Sequence, residues 1–248
     1  MRKLTLAVTA LLAACAAAAY PAVSASTILA RVKAAEASLV DYKADMYITE
    51  ASKKTISGMG EGYSDIMKLE KATISYKKPD KMRYDGYTSV MKVTYIQNGY
   101  TKLVLASMVR YKSDVKNAPG KRQDTLDLGF LSSRLWSDNI VTAVSTDKQG
   151  IVKLKFDPKY GGNDKRHDFV WVDPRTLKMI KREKYRGSGE LRISMVYKAY
   201  ASLTKGLPIA TVLTMHDPDG NLLGTVTYKA IKLNVRLSDS IFSLSSRK

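Results

Sequence analysis

The sequence predicts a mainly β (α+β) fold, in which a single curved antiparallel sheet forms an incomplete β-barrel closed by an N-terminal helix and a mid-chain lid helix. Segments in which apolar and polar side chains alternate recur along the chain and indicate about ten strands. Tight-turn sequences such as Asn98-Gly99 and Gln149-Gly150 separate these segments and are typical of antiparallel hairpins. Only two segments have helical spacing, so they can cover the apolar face of so large a sheet only if the sheet curls around them.

The chain begins with the three-part pattern of a secretory signal peptide. A basic start precedes an apolar run from Leu4 to Ala19, and Val23-Ser24-Ala25 places small residues where a signal peptidase reads them. We expect cleavage after Ala25, so that residues 1–25 are a signal peptide and residues 26–248 form one domain outside the cytoplasm. One alternative remains, because Leu12-Ala13-Ala14-Cys15 fits the box that precedes a lipid-modified cysteine and would leave the chain anchored.

Composition restricts the kinds of partner and site. The formal net charge is +18, and removal of Arg2 and Lys3 with the signal leaves +16. In an exported protein this charge favours anionic surfaces, although lysines that only solvate the strand edges explain it equally well. Nucleic acid is not expected as a partner. Cys15 is the single cysteine of the chain, so the mature domain is expected to contain no disulfide and no thiolate site.

The first mature segment is predicted to be a helix, with Ser26 or Thr27 as its cap. Its apolar residues fall on one stripe at helical spacing, namely Ile28, Leu29, Val32, Leu39 and Val40. From Asp41 the period changes to two, which predicts a half-buried strand. The same alternation returns in later runs, at Met91–Tyr95, Ile151–Phe156 and Leu191–Lys198.

A second helix is predicted over Asp124 to Asn139. Asp124 can cap it, and it follows a polar stretch from Lys112 to Gln123. Its apolar residues lie at helical spacing, namely Leu126, Leu128, Leu131, Leu135 and Trp136. Such a helix, inserted in the middle of a sheet, is expected to act as a lid or plug, or simply to cover one face of the sheet as core.

Four segments resemble the periplasmic outer-membrane lipoprotein carrier (LolA-like) family, in the order that the family has them. They are a Lys-Pro element, two hairpins and a C-terminal ending, at Tyr76–Asp85, Val93–Val109, Phe169–Leu177 and Ile231–Phe242. The resemblance covers nearly the whole mature chain and implies an incomplete β-barrel closed by helices. It also implies a non-enzymatic periplasmic carrier that binds acyl chains of lipids or lipoproteins in an apolar concavity, for transfer towards the outer membrane.

The resemblance further implies site residues. Lys78, the basic residue before the proline, is expected to hold the lid closed by hydrogen bonding, although better-known members have arginine there. Met82 and Tyr84 follow the turn where the family places apolar and aromatic residues. Six further side chains are expected at the lipid site or the lid, with plain core packing as the alternative; they are Phe130, Leu131, Leu135, Trp136, Phe169 and Trp171.

One cationic surface is also predicted. Four cations alternate with apolar side chains on one predicted strand, namely Lys178, Arg182, Lys184 and Arg186. If they share an exposed face, they would dock on an anionic membrane surface, or they would simply be solvated.

Enzymatic chemistry is not expected. His167 and His216 are the only histidines and have no third metal ligand at a useful spacing, so no metal and no cofactor are predicted. The sequence also contains no nucleophile elbow, zinc-protease or phosphate-loop motif. The expected partners are acyl chains and transfer partners at the inner and outer membranes. The alternative function is a periplasmic sensor or adaptor module of the same fold that binds a protein partner.

Overall fold

A single curved sheet of thirteen antiparallel strands dominates the computed structural model, which describes residues 23–51, 69–88, 91–107, 109–118, 121–162, 165–202 and 206–245. The predicted apolar run of the signal peptide and Cys15 lie outside the described residues. The sheet is not closed into a barrel. The predicted mainly β fold with one curved sheet is therefore confirmed, with more strands than the alternation indicated.

The strands follow one another as a long meander. Their bounds are β1 Asp41–Thr49, β2 Lys71–Lys77, β3 Lys81–Tyr87, β4 Lys92–Asn98, β5 Thr101–Ala106, β6 Val109–Asp114, β7 Asn139–Thr146, β8 Val152–Pro158, β9 His167–Val172, β10 Met179–Tyr185, β11 Leu191–Ser202, β12 Pro208–His216 and β13 Leu222–Leu233. The helices are α1 Ala25–Ala35 and α2 Arg134–Asp138, and a 3₁₀ turn spans Asp239–Phe242.

The strand order explains why the sheet has two free edges. It runs β6-β5-β4-β3-β2-β1-β13-β12-β11-β10-β9-β8-β7, so β1 pairs with β13 and joins the two halves of the chain. The edges are β6 and β7, which are consecutive strands in the sequence. The chain between them, residues 115–138, therefore connects one open edge of the sheet to the other.

Helix α1 covers part of the concave inner face. Its cap is Ser24, whose hydroxyl accepts a hydrogen bond of 3.1 Å from the Thr27 N–H. The helix thus begins before the predicted caps, Ser26 and Thr27. Ile28 and Val32 are fully buried on its inner side, as the helical spacing predicted. The helix ends at Ala35, so the predicted stripe does not extend to Leu39 and Val40, and Val40 is exposed.

The mid-chain helix predicted over residues 124–139 is wrong in extent. Only the five residues of α2 are helical, and a series of turns precedes them. The Asp124 carboxylate accepts the Leu126 N–H at 2.9 Å, and the Phe130 N–H returns to the Thr125 carbonyl at 3.1 Å. Gly129 has φ +83°, which only glycine adopts freely, so the chain reverses there instead of continuing a helix. We call residues 121–138 the plug.

The segment before the plug and the C-terminal segment complete the fold. Residues 112–114, predicted to belong to a polar loop, form the end of edge strand β6. After β13, the chain crosses the convex outer face of the first strands, where the Asp41 carboxylate accepts the Val235 and Leu237 N–H groups at 2.7 and 2.8 Å. Among the described residues, no helix has the length and apolar character needed to cross a bilayer.

Candidate ligand-binding site

The plug occupies the concave inner face of the sheet with its apolar side chains. Leu128, Phe130, Leu131 and Leu135 are all buried in the main hydrophobic core. The Phe130 ring lies 5.7 Å, centroid to centroid, from the ring of Tyr76 in a T-shaped arrangement. The space in which the sequence predicted an apolar ligand is therefore filled by this chain's own residues.

The sheet also holds the backbone of the plug by hydrogen bonds from buried tyrosines. The Tyr197 hydroxyl of β11 donates to the Leu126 carbonyl at 3.1 Å. The Tyr228 hydroxyl of β13 donates to the Asp127 carbonyl at 2.5 Å. Both tyrosines are almost fully buried, so each of these hydrogen bonds to the plug is made away from bulk solvent.

Two further contacts fix the plug to opposite halves of the sheet. In the first half, the Gln97 side-chain amide of β4 donates to the Gln123 carbonyl and its oxygen accepts the Gln123 N–H, each at 3.0 Å. The Tyr95 hydroxyl donates to the same Gln97 oxygen at 2.8 Å. In the second half, the Ala210 N–H of β12 donates to the Gly129 carbonyl at 2.8 Å.

Arg182 is the electrostatic centre of the inner face. It lies on β10, is only 1 % exposed, and donates through Nε to Asp168 of β9 at 2.7 Å. Its two terminal nitrogens reach the plug, one donating to Asp127 at 2.9 Å and the other to Asp124 at 3.0 Å. Lys184 lies 3.6 Å from the Asp168 carboxylate. Two cations of the sheet therefore face one carboxylate of the sheet and two of the plug.

The pKa values of two of these carboxyls are shifted in opposite directions. Burial alone would raise the pKa of Asp168, but the adjacent charges of Arg182 and Lys184 outweigh it and hold that pKa below its usual range. Burial and the neighbouring Asp124 carboxylate raise the pKa of Asp127 in spite of Arg182. The ionised form of Asp127 is therefore less favourable beside Arg182 in the folded protein than it would be in water.

A half-open pocket of about 70 Å³ adjoins this cluster. Its polar lining includes Lys184 together with Arg166 and Arg192, and its apolar lining includes Leu126 and Phe156. A second pocket of about 60 Å³ lies beside it and shares Asp124 and Leu135 with it. The Asp124 end of the plug is thus reached from solvent, whereas Phe130 and Leu131 in its middle are enclosed.

The other end of the plug is tied to the end of α1. Glu36, which follows the helix, accepts hydrogen bonds from the Ser133 hydroxyl and, at 3.1 Å, from the Ser133 N–H. The Lys78 ammonium donates to the Glu36 carbonyl at 2.9 Å. Lys78, predicted to hold the lid closed by hydrogen bonding, thus bonds to the backbone of Glu36, the residue whose side chain bonds to the plug.

Known structures share this architecture, although a scan of protein-family models and a search of curated proteins find no match. A LolA superfamily protein from Nitrosomonas europaea has a TM-score of 0.62 at 15 % identity, over 90 % of this chain and 98 % of that one. The protein has the LolA-superfamily fold. A DUF1329 family protein from Desulfovibrio piger has a TM-score of 0.58 at 14 % identity, over 88 % of this chain and 95 % of that one. A domain from Vibrio parahaemolyticus named for outer membrane lipoprotein sorting has a TM-score of 0.58 at 13 % identity, over 87 % and 94 %.

Within this LolA-superfamily fold, most of the predicted site residues lie on the inner face. Met82 and Tyr84 of β3 are buried there, and Phe130, Leu131 and Leu135 project from the plug into the same core. Trp136 is partly buried, with its ring 5.6 Å from that of Phe156. The fold thus gathers these side chains in one place, where the concavity was expected.

Phe169 and Trp171 are placed on the opposite face from the one predicted. They alternate along β9 with Val170 and Val172, which are fully buried, so the two aromatic rings lie on the convex outer face. The Lys153 ammonium stacks on both rings, at 3.9 Å from the centroid of Phe169 and 4.8 Å from that of Trp171. These rings cannot line the concavity, because the sheet itself separates them from it.

The predicted cationic surface does not form. Lys178 and Arg186 are exposed, but Arg182 and Lys184 are buried on the inner face. The register of β10 against β9 shifts between residues 179 and 181, so Met179 and Arg182 both face inward although one number is odd and the other even. Strict alternation, on which the prediction depended, fails at this irregularity.

The sequence reasoning missed three sheet residues that bond to the plug, Gln97, Tyr197 and Tyr228. It also missed the pairing of Arg182 with Asp127 and Asp168. One signal was available, because Gln97 is a polar residue next to the apolar strand residues that precede it. The described residues contain no group of three or more His, Cys, Asp or Glu side chains that could hold a metal ion.

Proposed function

We propose that the protein is a non-enzymatic periplasmic carrier that binds acyl chains of lipids or lipoproteins on the inner face of the sheet when the plug moves aside. One observation carries the proposal. The plug fills the concavity with apolar side chains but belongs to no strand, and a limited set of side-chain hydrogen bonds and ion pairs joins it to the sheet. The likeness in fold to a domain named for lipoprotein sorting supports the same function.

The physical reason is that acyl chains need shelter in water. Exposing an acyl chain costs about 0.8 kcal/mol per CH₂, so a lipid leaves a membrane readily only when an apolar surface receives it. The leucine and phenylalanine side chains of the plug cover such a surface in this closed form. A bound acyl chain would replace them and bury a comparable apolar area, so the exchange needs no chemical reaction.

The two tryptophans of the chain provide a direct test. Trp136 lies in the plug and Trp171 on the outer face, so Trp171→Phe leaves only the inner reporter and Trp136→Phe leaves only the outer one. Addition of a fatty acid brominated along its chain is expected to quench Trp136 and to leave Trp171 unchanged. Equal quenching of both, or no quenching of either, would contradict binding in the concavity.

The cellular location belongs to the same proposal. The expected signal peptide would deliver the domain to the periplasm, as a soluble protein after cleavage behind Ala25 or as a tethered acceptor if Cys15 is acylated. The mass of the N-terminal peptide of the mature protein distinguishes these two forms. Mass spectrometry of lipids that copurify from the native envelope would identify the cargo.

The free edges of the sheet favour a second candidate, an adaptor that binds a protein partner. Val109 and Tyr111 on β6, and Ile140 and Val144 on β7, are more than half exposed. An edge strand with exposed apolar side chains can pair with an extended segment of another chain. A stable protein partner in a native pull-down, without copurifying lipid, would favour this function over the carrier.

A further inference from the structure

The plug has the chemical pattern of a single amphiphilic molecule. Its first part carries the Asp124 and Asp127 carboxylates, both bonded to Arg182. The stretch that follows is apolar and enclosed, with Phe130 and Leu131 each 1 % exposed. The plug thus occupies the inner face as an anionic head followed by an apolar tail would occupy it.

Departure of the plug exposes donors that a plain hydrocarbon cannot satisfy. The hydroxyls of Tyr197 and Tyr228 and the N–H of Ala210 would all lose their carbonyl partners. The Tyr42 hydroxyl is fully buried near Phe130 and has no partner among the described residues even in the closed form. The loss of a hydrogen-bond acceptor by a buried donor is unfavourable, so a ligand with acceptor oxygens is preferred over one without them.

The sign of the charge follows from Arg182. Without the plug, Arg182 loses the Asp124 and Asp127 carboxylates and keeps that of Asp168. Removing two carboxylates from a buried cation is unfavourable, so the inner face favours negative charge from whatever replaces the plug. A neutral head would not replace the lost charge, and a cationic head would aggravate the loss.

The pocket beside Arg182 gives the position of the head. Arg166, Lys184 and Arg192 line it on the polar side, and Leu126 and Phe156 on the apolar side. Its volume of about 70 Å³ holds several water molecules and therefore also carboxylate or phosphate oxygens. A head in this pocket stays close to solvent, and the attached chain points towards the space that the plug fills.

We propose that the ligand is an acyl amphiphile with an anionic head, a carboxylate or a phosphate, and that Arg182 receives this head in place of Asp124 and Asp127. The proposal rests on the proposed carrier function and adds the class of ligand. In this proposal the plug competes with the ligand for the inner face, because both carry a negative charge and apolar groups.

A matched set of twelve-carbon probes tests the proposal on the complete mature chain. Dodecanoate, dodecyl phosphate, dodecanol and dodecyltrimethylammonium share one tail and differ in the head, and calorimetry below their micellar concentrations gives their affinities. The two anionic probes are expected to bind at least tenfold more tightly than dodecanol, and the cationic probe more weakly still. Inorganic phosphate alone is expected not to bind measurably, because it lacks the tail.

Variants then show which residues cause the preference for anionic probes. Asp124→Asn with Asp127→Asn removes the competing carboxylates and is expected to strengthen dodecanoate binding several-fold more than dodecanol binding. Arg182→Lys keeps the charge but loses the planar fork, and is expected to reduce the anionic preference. Arg186→Gln, at an exposed cation just after the same strand, is the control and should leave it unchanged.

The outcomes separate the two proposals. Equal affinity for dodecanol and dodecanoate, or tight binding of inorganic phosphate without a tail, would overturn the anionic-head proposal and leave the carrier function standing. Absence of binding by all four probes would count against the carrier function itself. If Arg182→Lys does not fold, the comparison of probes in the wild type and in the double asparagine variant still decides the question.

Discussion

Strands β9 and β10 bury a cation on the inner face of the sheet and carry aromatic rings on the outer face, the reverse of what these residue types suggest. The inner face carries Val170 beside the cation Arg182, which is directly opposite it, and both are buried. The outer face carries the large aromatic ring of Trp171 opposite Lys181. Apolar size therefore does not decide which face a side chain occupies, because the aromatic ring lies outside and the arginine inside.

Two local causes produce this inversion. The irregular pairing near Met179 turns Arg182 inward, and the plug supplies the carboxylates that make its burial possible. On the outer face, Lys153 and Lys181 cover the aromatic rings with their ammonium groups. The inner face thus depends on a partner from elsewhere in the chain, whereas the outer face is satisfied by neighbouring strands.

The largest expected effect is a difference in unfolding free energy between variants of two adjacent cations, Arg182 on the inner face and Lys181 on the outer face. Arg182→Met removes the partner of buried carboxylates and should lower the free energy of unfolding by about 3–5 kcal/mol. Lys181→Met breaks a partly exposed pair with Glu183, in which the lysine side chain is 39 % exposed, and should cost about 1 kcal/mol. Urea unfolding of both variants measures the difference, and equal losses would refute the assignment of the two faces.

The second prediction concerns the close contact of the plug with β12. A Cβ atom on Gly129 would lie 2.8 Å from the Ala210 carbonyl oxygen, whereas one on Gly189 would meet no atom within 4 Å. The two glycines have similar φ values, +83° and +88°. Gly189→Ala should therefore cost only the backbone strain, about 1–2 kcal/mol, and Gly129→Ala about 1–3 kcal/mol more.

The rate of ligand binding to the same two glycine variants tests whether the plug limits access to the inner face. Because Gly129→Ala pushes the plug away from the sheet, we expect faster binding of a fluorescent fatty acid to that variant than to Gly189→Ala. Identical kinetics in the two variants would show that the plug does not limit access to the inner face.

A third prediction compares a small inner side chain with a large outer one. Val170→Ala creates a cavity in the core and should cost about 2 kcal/mol. Phe169→Ala removes far more atoms but mainly loses its contacts with Lys153 and neighbouring rings, and should cost about 1 kcal/mol. A larger loss from Phe169→Ala, measured by thermal or urea unfolding, would place that ring in the core after all.

The smallest expected effect is a pH dependence of opposite sign for two carboxyls of the inner face. The pKa of Asp168 is lower in the folded protein, so its ionised form stabilises the fold at neutral pH and this contribution is lost as the pH falls through that lowered pKa. The pKa of Asp127 is raised, so its contribution is present below the ordinary aspartate pKa and is lost as the pH rises through the raised value.

Asparagine variants measured from pH 7 to pH 3 test both signs. The destabilisation caused by Asp168→Asn should shrink as the pH falls, because the wild type loses the same contribution. Asp127→Asn should become more destabilising, or less stabilising, relative to the wild type as the pH falls. Parallel pH profiles for the two variants would contradict the opposite shifts.

The sequence allowed the strands and the inner-facing residues to be predicted wherever alternation holds without interruption. In β1, Tyr42, Ala44 and Met46 are buried as their period of two indicated. The fold was predictable for the same reason, since a long antiparallel meander with few helices must curve to cover its apolar face. Local patterns were sufficient because these features depend on neighbouring residues.

The features that could not be predicted depend on distant contacts. The helical spacing of the leucines between Asp124 and Asn139 is real, but Gly129 must approach the Ala210 backbone, and that contact favours a turn over a helix. The burial of Arg182 requires Asp124 and Asp127, more than fifty residues earlier in the chain. No local pattern reports either partner.

The plug belongs to the stretch of chain that links the two open edges of the sheet, from Asp114 to Asn139. A segment tethered in this way competes with any ligand intramolecularly, at an effective concentration on the order of millimolar. The measured affinity is then the intrinsic affinity multiplied by the fraction of molecules in which the segment is displaced. For the carrier function proposed above, release of the ligand to an acceptor would need no external energy source, because the returning segment refills the space that the ligand leaves.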